Sequence, residues 1–292
     1  MSATAPIVPV AAAGEARLAR RETVGQLAKS KTFIVGAVLV AWWVFWAVTG
    51  SRFTPHDPLE QTDAVLIGPG SGHWFGTDQL GRDVLSRVLA GASDTMKVAP
   101  LATLLGIVGG TTVGLITGYF RGWVDDSISR VIDAVLALPL IVIAVTALVA
   151  LGTSNVTLIV VIGVVFTPIV ARTVRAAVLG ERELDYVAAA RLRGERAPFI
   201  MFAEILPNIM GPIVVEATVR LGYAIFAVAG LTFLGFGVQP PSPDWSLQIA
   251  DNYTLLNAGT YEWTVLFPGL AIATLIVGVN LLADGLQQVL DR

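Results

Sequence analysis

A stretch of 38 residues without a charged side chain, from Ala134 to Ala171, constrains this chain more than any other feature. A helix that crosses the hydrocarbon of a bilayer needs roughly 20 apolar residues. The stretch is therefore too long for one span and long enough for two. The turn-forming run from Gly152 to Asn155 lies near its middle. The pattern predicts two transmembrane helices joined by a tight turn.

Four further apolar windows predict additional spans. The first of them, at about residues 33–50, is not a cleaved secretory signal, because the apolar core of such a signal would be shorter and no further spans would follow it. We therefore expect an all-α, polytopic membrane protein with six transmembrane helices. They are placed at about residues 33–50, 97–119, 130–151, 156–177, 209–234 and 263–284.

The composition agrees with a lipid environment and excludes several kinds of site. Hydrophobic residues make up 54% of the chain and charged residues 14%, whereas soluble domains are about a quarter charged. Cysteine is absent, which excludes disulfides and thiolate metal sites. The two histidines, His56 and His73, are too few for a histidine-built metal or haem site, so we expect no metal. The net charge of −3 argues against a nucleic-acid partner.

Glycines recur every four residues in the second window, which places them on one face of the helix. Such small-residue faces allow helices to approach closely in membranes. We expect this face, formed by Gly106, Gly110, Gly114 and Gly118, to pack against another span.

The lysines and arginines predict the orientation, because short loops rich in them remain in the cytoplasm. Fourteen of the 19 fall in alternate non-membrane segments that include both ends of the chain. Both termini are therefore expected in the cytoplasm of a cell-membrane protein, with residues 1–28 as a cytoplasmic tail and residues 29–292 as the transmembrane domain. Residues 51–96 and 235–262 are expected outside, and residues 178–208 inside.

The cytoplasmic segment contains a predicted helix with an unusual surface. Residues 183–194 combine strong helix formers with three consecutive alanines at 188–190, and Gly194 is suited to end the helix. A small-residue surface of this kind allows another protein to approach closely. A solvated linker between two spans is the alternative, and the residues alone leave both interpretations open.

Charged residues inside the fifth span are expensive in a bilayer and therefore candidates for function. Glu216 and Arg220 are four residues apart and can pair on one helix face. In a protein that moves a solute across the membrane they would be candidates for the translocation path, and a purely structural ion pair is the alternative. Asp133 is expected to lie at the interface near Arg130.

The first external segment contains a predicted turn followed by a polar cluster. Gly76, Thr77 and Asp78 form the turn and cap, and the segment 81–92 is amphipathic and expected to lie along the membrane surface. Salt bridges that fix the loop are expected to involve the charged residues Asp78, Arg82 and Asp83. In the second external segment, residues 239–245 contain three prolines and Trp245, and are expected to form a stiff surface element.

No familiar catalytic motif occurs in the sequence. Neither a P-loop nor the GxSxG or HExxH patterns are present. The chain is therefore expected not to be an enzyme.

Three segments resemble one family of membrane proteins. The pattern from Asp185-Tyr-Val to Gly194, continued at Ile205-Leu-Pro207, resembles the EAA loop of ABC importer permeases. The run from His73 to Arg87 contains Gly-Thr-Asp-Gln-Leu-Gly-Arg-Asp and resembles the GTDxxGRD signature of dipeptide, oligopeptide and nickel importer permeases. Residues 233–245 are similar to a third segment of these proteins. The chain is most similar to the second, C-type permease subunit of dipeptide importers.

This resemblance implies a type I ABC importer permease fold in membrane lipid. It implies a homologous second permease, two ATP-binding subunits and an extracytoplasmic substrate-binding protein as partners. ATP and magnesium would be bound by the partners and no cofactor by this chain. The coupling residues implied by the EAA loop are Asp185, Tyr186, Ala188, Ala189, Ala190, Gly194, Leu206 and Pro207. The external signature residues are Gly76, Thr77, Asp78, Gly81, Arg82 and Asp83.

The sequence departs from the family at identifiable positions. Ala188 stands where the EAA motif has its glutamate, so a salt bridge from that position to the ATPase is not expected. Arg220 and Val228 occupy a span in which relatives often have acidic residues. A nickel importer permease is an alternative within the family, and a self-contained secondary transporter is an alternative of another class.

Overall fold

The computed structural model describes residues 29–290 together with Leu27, and this part of the chain is helical with long loops. The predicted cytoplasmic tail lies almost entirely outside the described residues. The α-helices are α1 (Lys31–Thr49), α2 (Val84–Phe120), α3 (Trp123–Leu136), α4 (Leu140–Leu151), α5 (Asn155–Glu181), α6 (Asp185–Leu192), α7 (Met210–Phe233), α8 (Trp245–Asn252) and α9 (Trp263–Leu290). Between α6 and α7 lie short helical turns at Ala197–Phe199 and Leu206–Asn208, with the π-helical stretch Ile200–Ile205 between them.

Five of the helices in the described part are long and apolar enough to cross a membrane, and the α3–α4 pair adds a sixth candidate. This result confirms the predicted all-α, polytopic fold. The third predicted span, residues 130–151, is not one helix, because α3 and α4 meet at an angle of 88°. Pro139 lies at the break and precedes α4. Proline disfavours a helical backbone at the residue before it, which explains why the helix stops there.

The glycine face of α2 packs against α5, as the four-residue repeat predicts. A Cβ atom added at Gly106, Gly110, Gly114 or Gly118 would stand no more than 3.0 Å from a side chain of α5. The facing residues are Phe166, Val170, Val174 and Val178, in the same order along the chain. The two helices are therefore parallel, and their close approach depends on the missing side chains.

A second close contact joins the first and last helices. Gly36 of α1 faces Gly278 and Leu282 of α9, whereas Phe33 faces Gly285. The residue numbers rise along one helix as they fall along the other, so α1 and α9 are antiparallel. The indole N–H of Trp43 also donates to Thr274 Oγ1 at 3.1 Å. Opposite ends of the chain are thereby packed together.

Residues 84–92 do not form a separate helix along the membrane surface, in contrast to the sequence prediction. They are the first turns of α2, a continuous helix of 37 residues. Both of their faces are covered, since the polar Arg87 is fully buried as well as the apolar Val84 and Ala92. Part of this cover comes from residues 242–248, which the sequence does not place next to α2.

Trp245 also lies elsewhere than expected. The sequence suggested a surface element, but this side chain is fully buried, and its indole N–H donates to the carbonyl of Val88 at 2.6 Å. Its ring lies 4.7 Å from that of Trp43 in an edge-to-face arrangement. Trp245 therefore anchors the loop after α7 to both α1 and α2.

Candidate coupling surface and loop cluster

Helix α6 is held to the body of the protein by one of its faces. Val187 and Ala190 are fully buried. They belong to an apolar cluster that includes Val178 at the end of α5 and Ile200 and Ile205 after α6. A displacement of α6 therefore has to move the adjoining end of α5 and the segment that leads into α7.

The opposite face of α6 is open. Asp185, Ala188 and Ala189 are exposed, and Leu192 is 90% exposed. Ala190 was expected to share this small-residue surface, but the structure places it on the buried face, because positions 187 and 190 lie three residues apart on the helix. The exposed small-residue surface consists of Ala188 and Ala189, with the apolar Leu192 beside it.

The end of α6 depends on Gly194. Its φ is +76°, a conformation that residues with a Cβ rarely adopt. The amide of Glu195 donates to the carbonyl of Ala190 at 3.2 Å and so closes the helix end. Among the described residues other than its chain neighbours, none has a heavy atom within 4 Å of a Cβ built at Gly194. Gly194 is therefore required because of its positive φ, and not because neighbouring atoms leave no room for a side chain.

Polar contacts join α6 to the ends of its neighbours. The Tyr186 hydroxyl donates to Glu181 Oε2 at 2.8 Å, and burial, followed by this hydrogen bond, raises the pKa of Tyr186. The guanidinium of Arg182 donates to the carbonyl of Tyr119 at 2.6 Å, which connects the ends of α2 and α5. Leu206 is half-buried beside the apolar cluster, and Pro207 is exposed.

Two ion pairs connect α3 to α5. Arg175 donates from Nε and one terminal nitrogen to the two carboxylate oxygens of Asp125, each at 2.6 Å. Asp133, which the sequence places near Arg130, accepts from Arg172 at 2.6 Å. The Asp125 side chain is nearly buried, whereas both side chains of the Arg172–Asp133 pair are well exposed.

The predicted pair in α7 forms. Arg220 Nε donates to Glu216 Oε1 at 2.6 Å, and both side chains are largely buried. The guanidinium also lies 5.1 Å from the centre of the Tyr223 ring. Arg220 and Tyr223 line a cavity of about 310 Å³ whose other walls are mostly apolar residues of α4, α5 and α7.

Asp78 and Arg82 of the first loop, which we define as residues 53–83, form a buried network with Arg87 of α2. Asp78 accepts from Arg82 Nε at 2.7 Å and lies 3.7 Å from Arg87 Nε. Arg82 also reaches Asp251 at 3.3 Å, and Arg87 donates to the carbonyl of Ser242 at 3.4 Å. The geometry shows a loop-fixing role for Asp78 and Arg82, because their contacts join α2 to the loop after α7.

Backbone geometry accounts for the glycines of the same motif. Gly76 and Gly81 have φ values of +76° and +71°. A Cβ at Gly76 would stand 2.6 Å from the carbonyl oxygen of Ile67, and one at Gly81 would collide with Thr62. Thr77 is buried between them, and its hydroxyl accepts from the amide of Ile67 at 2.8 Å.

Asp244 is a buried carboxylate that sequence reasoning missed. It precedes α8 and accepts from the amides of Ser246 and Leu247 at 2.9 and 3.1 Å. Burial raises the pKa of the Asp244 carboxyl to about 6, and the negative charge of Asp94 adds to the effect. Aspartate is a favoured residue directly before a helix, but the sequence gives no sign that Asp244 is buried.

A second missed group contains both histidines. Asp83 Oδ1 lies 2.8 Å from His73 Nδ1 and 3.8 Å from His56 Nδ1. The two imidazole rings are 4.7 Å apart. The sequence separates His56 from Asp83 by 27 positions with no periodic pattern between them, so nothing in it indicates this meeting.

Comparison with known proteins identifies the family. Residues 110–292 match the model of the binding-protein-dependent transport system inner membrane component. The chain is 38% identical to the dipeptide transport system permease protein DppC of Alkalihalophilus pseudofirmus, with 93% of this chain and 89% of that protein covered. It is 35% identical to the di/tripeptide transport system permease protein DppC of Pseudomonas aeruginosa, with 90% of this chain and 89% of that protein covered.

Two further comparisons extend this result. The glutathione transport system permease protein GsiD of Pectobacterium atrosepticum is 33% identical, covering 89% of this chain and 84% of that protein. Among solved structures, a chain of the MetNI methionine ABC transporter in an inward-facing conformation matches with a TM-score of 0.58 at 18% identity, covering 70% of this chain and 97% of that chain. The structural match shows a shared fold.

These matches give the general role of the molecule. It is a multi-pass inner-membrane permease subunit of an ABC transporter, it is not itself catalytic, and ATP is bound by partner ATPase subunits. The resemblance in the two loop motifs and the fold agree with this assignment. The chain belongs to the family of binding-protein-dependent transport system inner membrane components.

Proposed function

We propose that this permease subunit imports dipeptides or short oligopeptides. The relatives described above are named for dipeptide, di/tripeptide and glutathione transport, and all three match most of the chain. These names favour a peptide cargo over nickel. The subunit forms half of the pore, and a homologous second permease supplies the other half.

The anchored helix α6 is the observation that supports coupling to ATP hydrolysis. Its exposed face presents Ala188 and Ala189, which let an ATPase surface approach closely, and Leu192 adds an apolar contact. Its buried face contacts the end of α5 and the segment before α7. We infer that nucleotide-driven closure of two ATPase subunits displaces α6, which then moves α5 and α7. Asp185, Gly194 and Pro207 shape the same exposed region.

The topology in this proposal places both termini and α6 in the cytoplasm, with the first loop and residues 235–262 outside. The parallel packing of α2 with α5 and the antiparallel packing of α1 with α9 agree with six alternating spans, since spans two and four run in one direction and spans one and six in opposite directions. The side of the membrane on which each loop lies is inferred from the lysines and arginines. On the outer side, the two loops are positioned to meet a substrate-binding protein.

Arg220 and Glu216 belong to the translocation path in this proposal. Arg220 lines the cavity between α4, α5 and α7, where a guanidinium is available to a peptide carboxylate. The pair satisfies both charges while no cargo is present, so the bilayer cost of either charge alone is avoided.

Reconstitution tests the proposal. The chain is inserted into liposomes with the second permease, the two ATPases and the binding protein, and uptake of a radiolabelled dipeptide is measured. We expect uptake that requires ATP and every subunit. Gradient-driven uptake by this chain alone would identify a secondary transporter instead. ATP-dependent uptake of Ni²⁺ without dipeptide uptake would contradict the cargo.

A further inference from the structure

The two histidines of the chain converge on one carboxylate oxygen. The sequence has no others, yet His56 and His73 place their Nδ1 atoms 3.8 and 2.8 Å from Asp83 Oδ1. All three donor atoms lie within 4.8 Å of one another. The two rings are tilted by 33°, and in each ring it is Nδ1 that lies near Asp83 Oδ1.

The two oxygens of Asp83 have different partners. Oδ2 accepts from the backbone amide of Ser86 at 2.8 Å and from its hydroxyl at 2.6 Å. Oδ1 faces the histidines. The carboxylate is 2% exposed and its orientation is fixed by the start of α2. Hydrogen bonds that orient a ligand in this way are a regular feature of protein metal sites.

The nearby charges leave this group free for a cation. Asp78, the next carboxylate in the loop, is already paired with Arg82 at 2.7 Å. The His56 side chain is 42% exposed and His73 18%, so an ion can reach the donors from solvent while Asp83 lies beneath them. No lysine or arginine is paired with Asp83 among the described residues.

We propose that His56, His73 and Asp83 form a binding site for a first-row divalent cation of the Zn²⁺ type. Imidazole nitrogen with one carboxylate oxygen suits zinc and its neighbours, whereas Mg²⁺ and Ca²⁺ prefer oxygen ligands. Bonds of about 2.0–2.1 Å at tetrahedral angles place ligand atoms about 3.3 Å apart. The observed Nδ1–Oδ1 distances of 3.8 and 2.8 Å lie on either side of that value. A small rotation of each imidazole would therefore bring the three ligand atoms to tetrahedral spacing. Solvent completes the coordination.

The site has a structural consequence. A bound cation connects His56, near the beginning of the first loop, to His73 in its later part and to Asp83, the residue directly before α2. It therefore fastens this loop onto the helix that packs against α5. The cation is resident in this site and independent of the cargo, so the inference does not rest on the proposed function.

Zinc binding to the whole chain tests this site. The protein is purified in detergent with a tag free of histidine, and ⁶⁵Zn²⁺ binding is measured by equilibrium dialysis with excess Mg²⁺ present. We expect one Zn²⁺ per chain. The His56→Phe variant keeps an aromatic ring beside His73 but has no ligand atom. We expect its affinity to fall at least about tenfold, because even the loss of a group that only orients a ligand has an effect of that size.

Matched variants distinguish the site from general effects. Asp57→Asn removes an exposed carboxylate one residue away and should bind as the wild type does. The double variant His56→Phe/His73→Phe should not bind Zn²⁺ above background. Zn²⁺ should also raise the melting temperature of the wild type but not of His56→Phe. Absence of binding to the wild type, or equal binding by His56→Phe, would overturn the inference.

Discussion

A methyl group placed on Gly114 would stand 2.7 Å from the Cβ of Val174 and 2.8 Å from the backbone carbonyl oxygen of Ala171. The contact lies in the α2–α5 interface, where Gly110, Gly114 and Gly118 meet Val170, Val174 and Val178. Side-chain rotation cannot relieve either contact, because the Ala171 oxygen belongs to the backbone and the Val174 Cβ is bonded directly to its Cα. The distance between these two helices is therefore set by the absence of a side chain.

We expect Gly114→Ala to destabilise the protein by about 1–3 kcal/mol, the usual cost of overpacking. Thermal unfolding of the purified chain in detergent measures the effect. Gly180→Ala in α5 is the matched control, since no heavy atom lies within 4 Å of its added Cβ. Equal melting temperatures for the two variants would contradict close packing as the reason for the glycine repeat.

Arg175→Lys should destabilise the chain although it preserves the charge. Lysine cannot reproduce the two parallel hydrogen bonds to Asp125, and we expect a loss of about 1–2 kcal/mol. The control is Arg172→Lys in the exposed pair with Asp133, where we expect a change within about 0.5 kcal/mol. Both are measured by thermal unfolding. A larger effect at position 172 than at 175 would refute the special role of the Asp125 pair.

The sequence predicts features that depend on local periodicity and misses those that depend on distant contacts. The glycine repeat of α2 is visible because one helix face repeats every four residues, and its packing is confirmed. Glu216 and Arg220 are likewise neighbours on one helix turn. In contrast, Arg87 is buried by residues 155 positions away in the chain. The sequence around Arg87 contains no pattern that indicates its burial.

The same distinction applies to α3 and α4. Hydropathy alone measures length and polarity, so it predicts one span for residues 130–151 and cannot give the 88° change of direction. Pro139 was a visible signal of a break. At α6, helix periodicity places Ala190 on the same face as Val187, but which face is buried depends on Ile200 and Ile205, which follow in another segment.

Ala189→Trp tests the coupling surface. The position is exposed, so we expect the variant to insert in the membrane and to melt as the wild type does. The bulky ring should prevent close docking of the ATPase, and ATP hydrolysis by the assembled complex should stay at its basal rate when binding protein and dipeptide are added. Ala189→Ser, which keeps the side chain small, should respond normally. Full stimulation of Ala189→Trp would refute docking at this face.

Replacing the charged pair of α7 tests the translocation path. The double variant Glu216→Gln/Arg220→Gln leaves no unpaired charge in the helix, so we expect normal insertion and ATP hydrolysis. Because Arg220 lines the cavity, uptake of labelled dipeptide should be slower than in the wild type. The control is Asp133→Asn/Arg172→Gln, which removes an exposed pair. Unchanged uptake by the Glu216/Arg220 variant would assign that pair a structural role only.

Asp244 should give the stability of the protein a specific pH dependence. The carboxyl has an ordinary pKa of 3.8, raised in the folded chain to about 6 mainly by burial. The folded state therefore holds this proton to higher pH than the unfolded state, so the contribution of Asp244 to stability falls as the pH rises from about 4 to 6. By pH 7 the loss amounts to about 3 kcal/mol.

The variant Asp244→Asn isolates this effect. Its amide oxygen can still accept from the amides of Ser246 and Leu247, so α8 keeps its cap. We expect the free energy of unfolding of the variant, minus that of the wild type, to increase between pH 4 and pH 7, because the other carboxyl groups cancel in the difference. Chemical unfolding in detergent at several pH values provides the measurement. A difference that does not vary with pH would show that Asp244 does not titrate in this range.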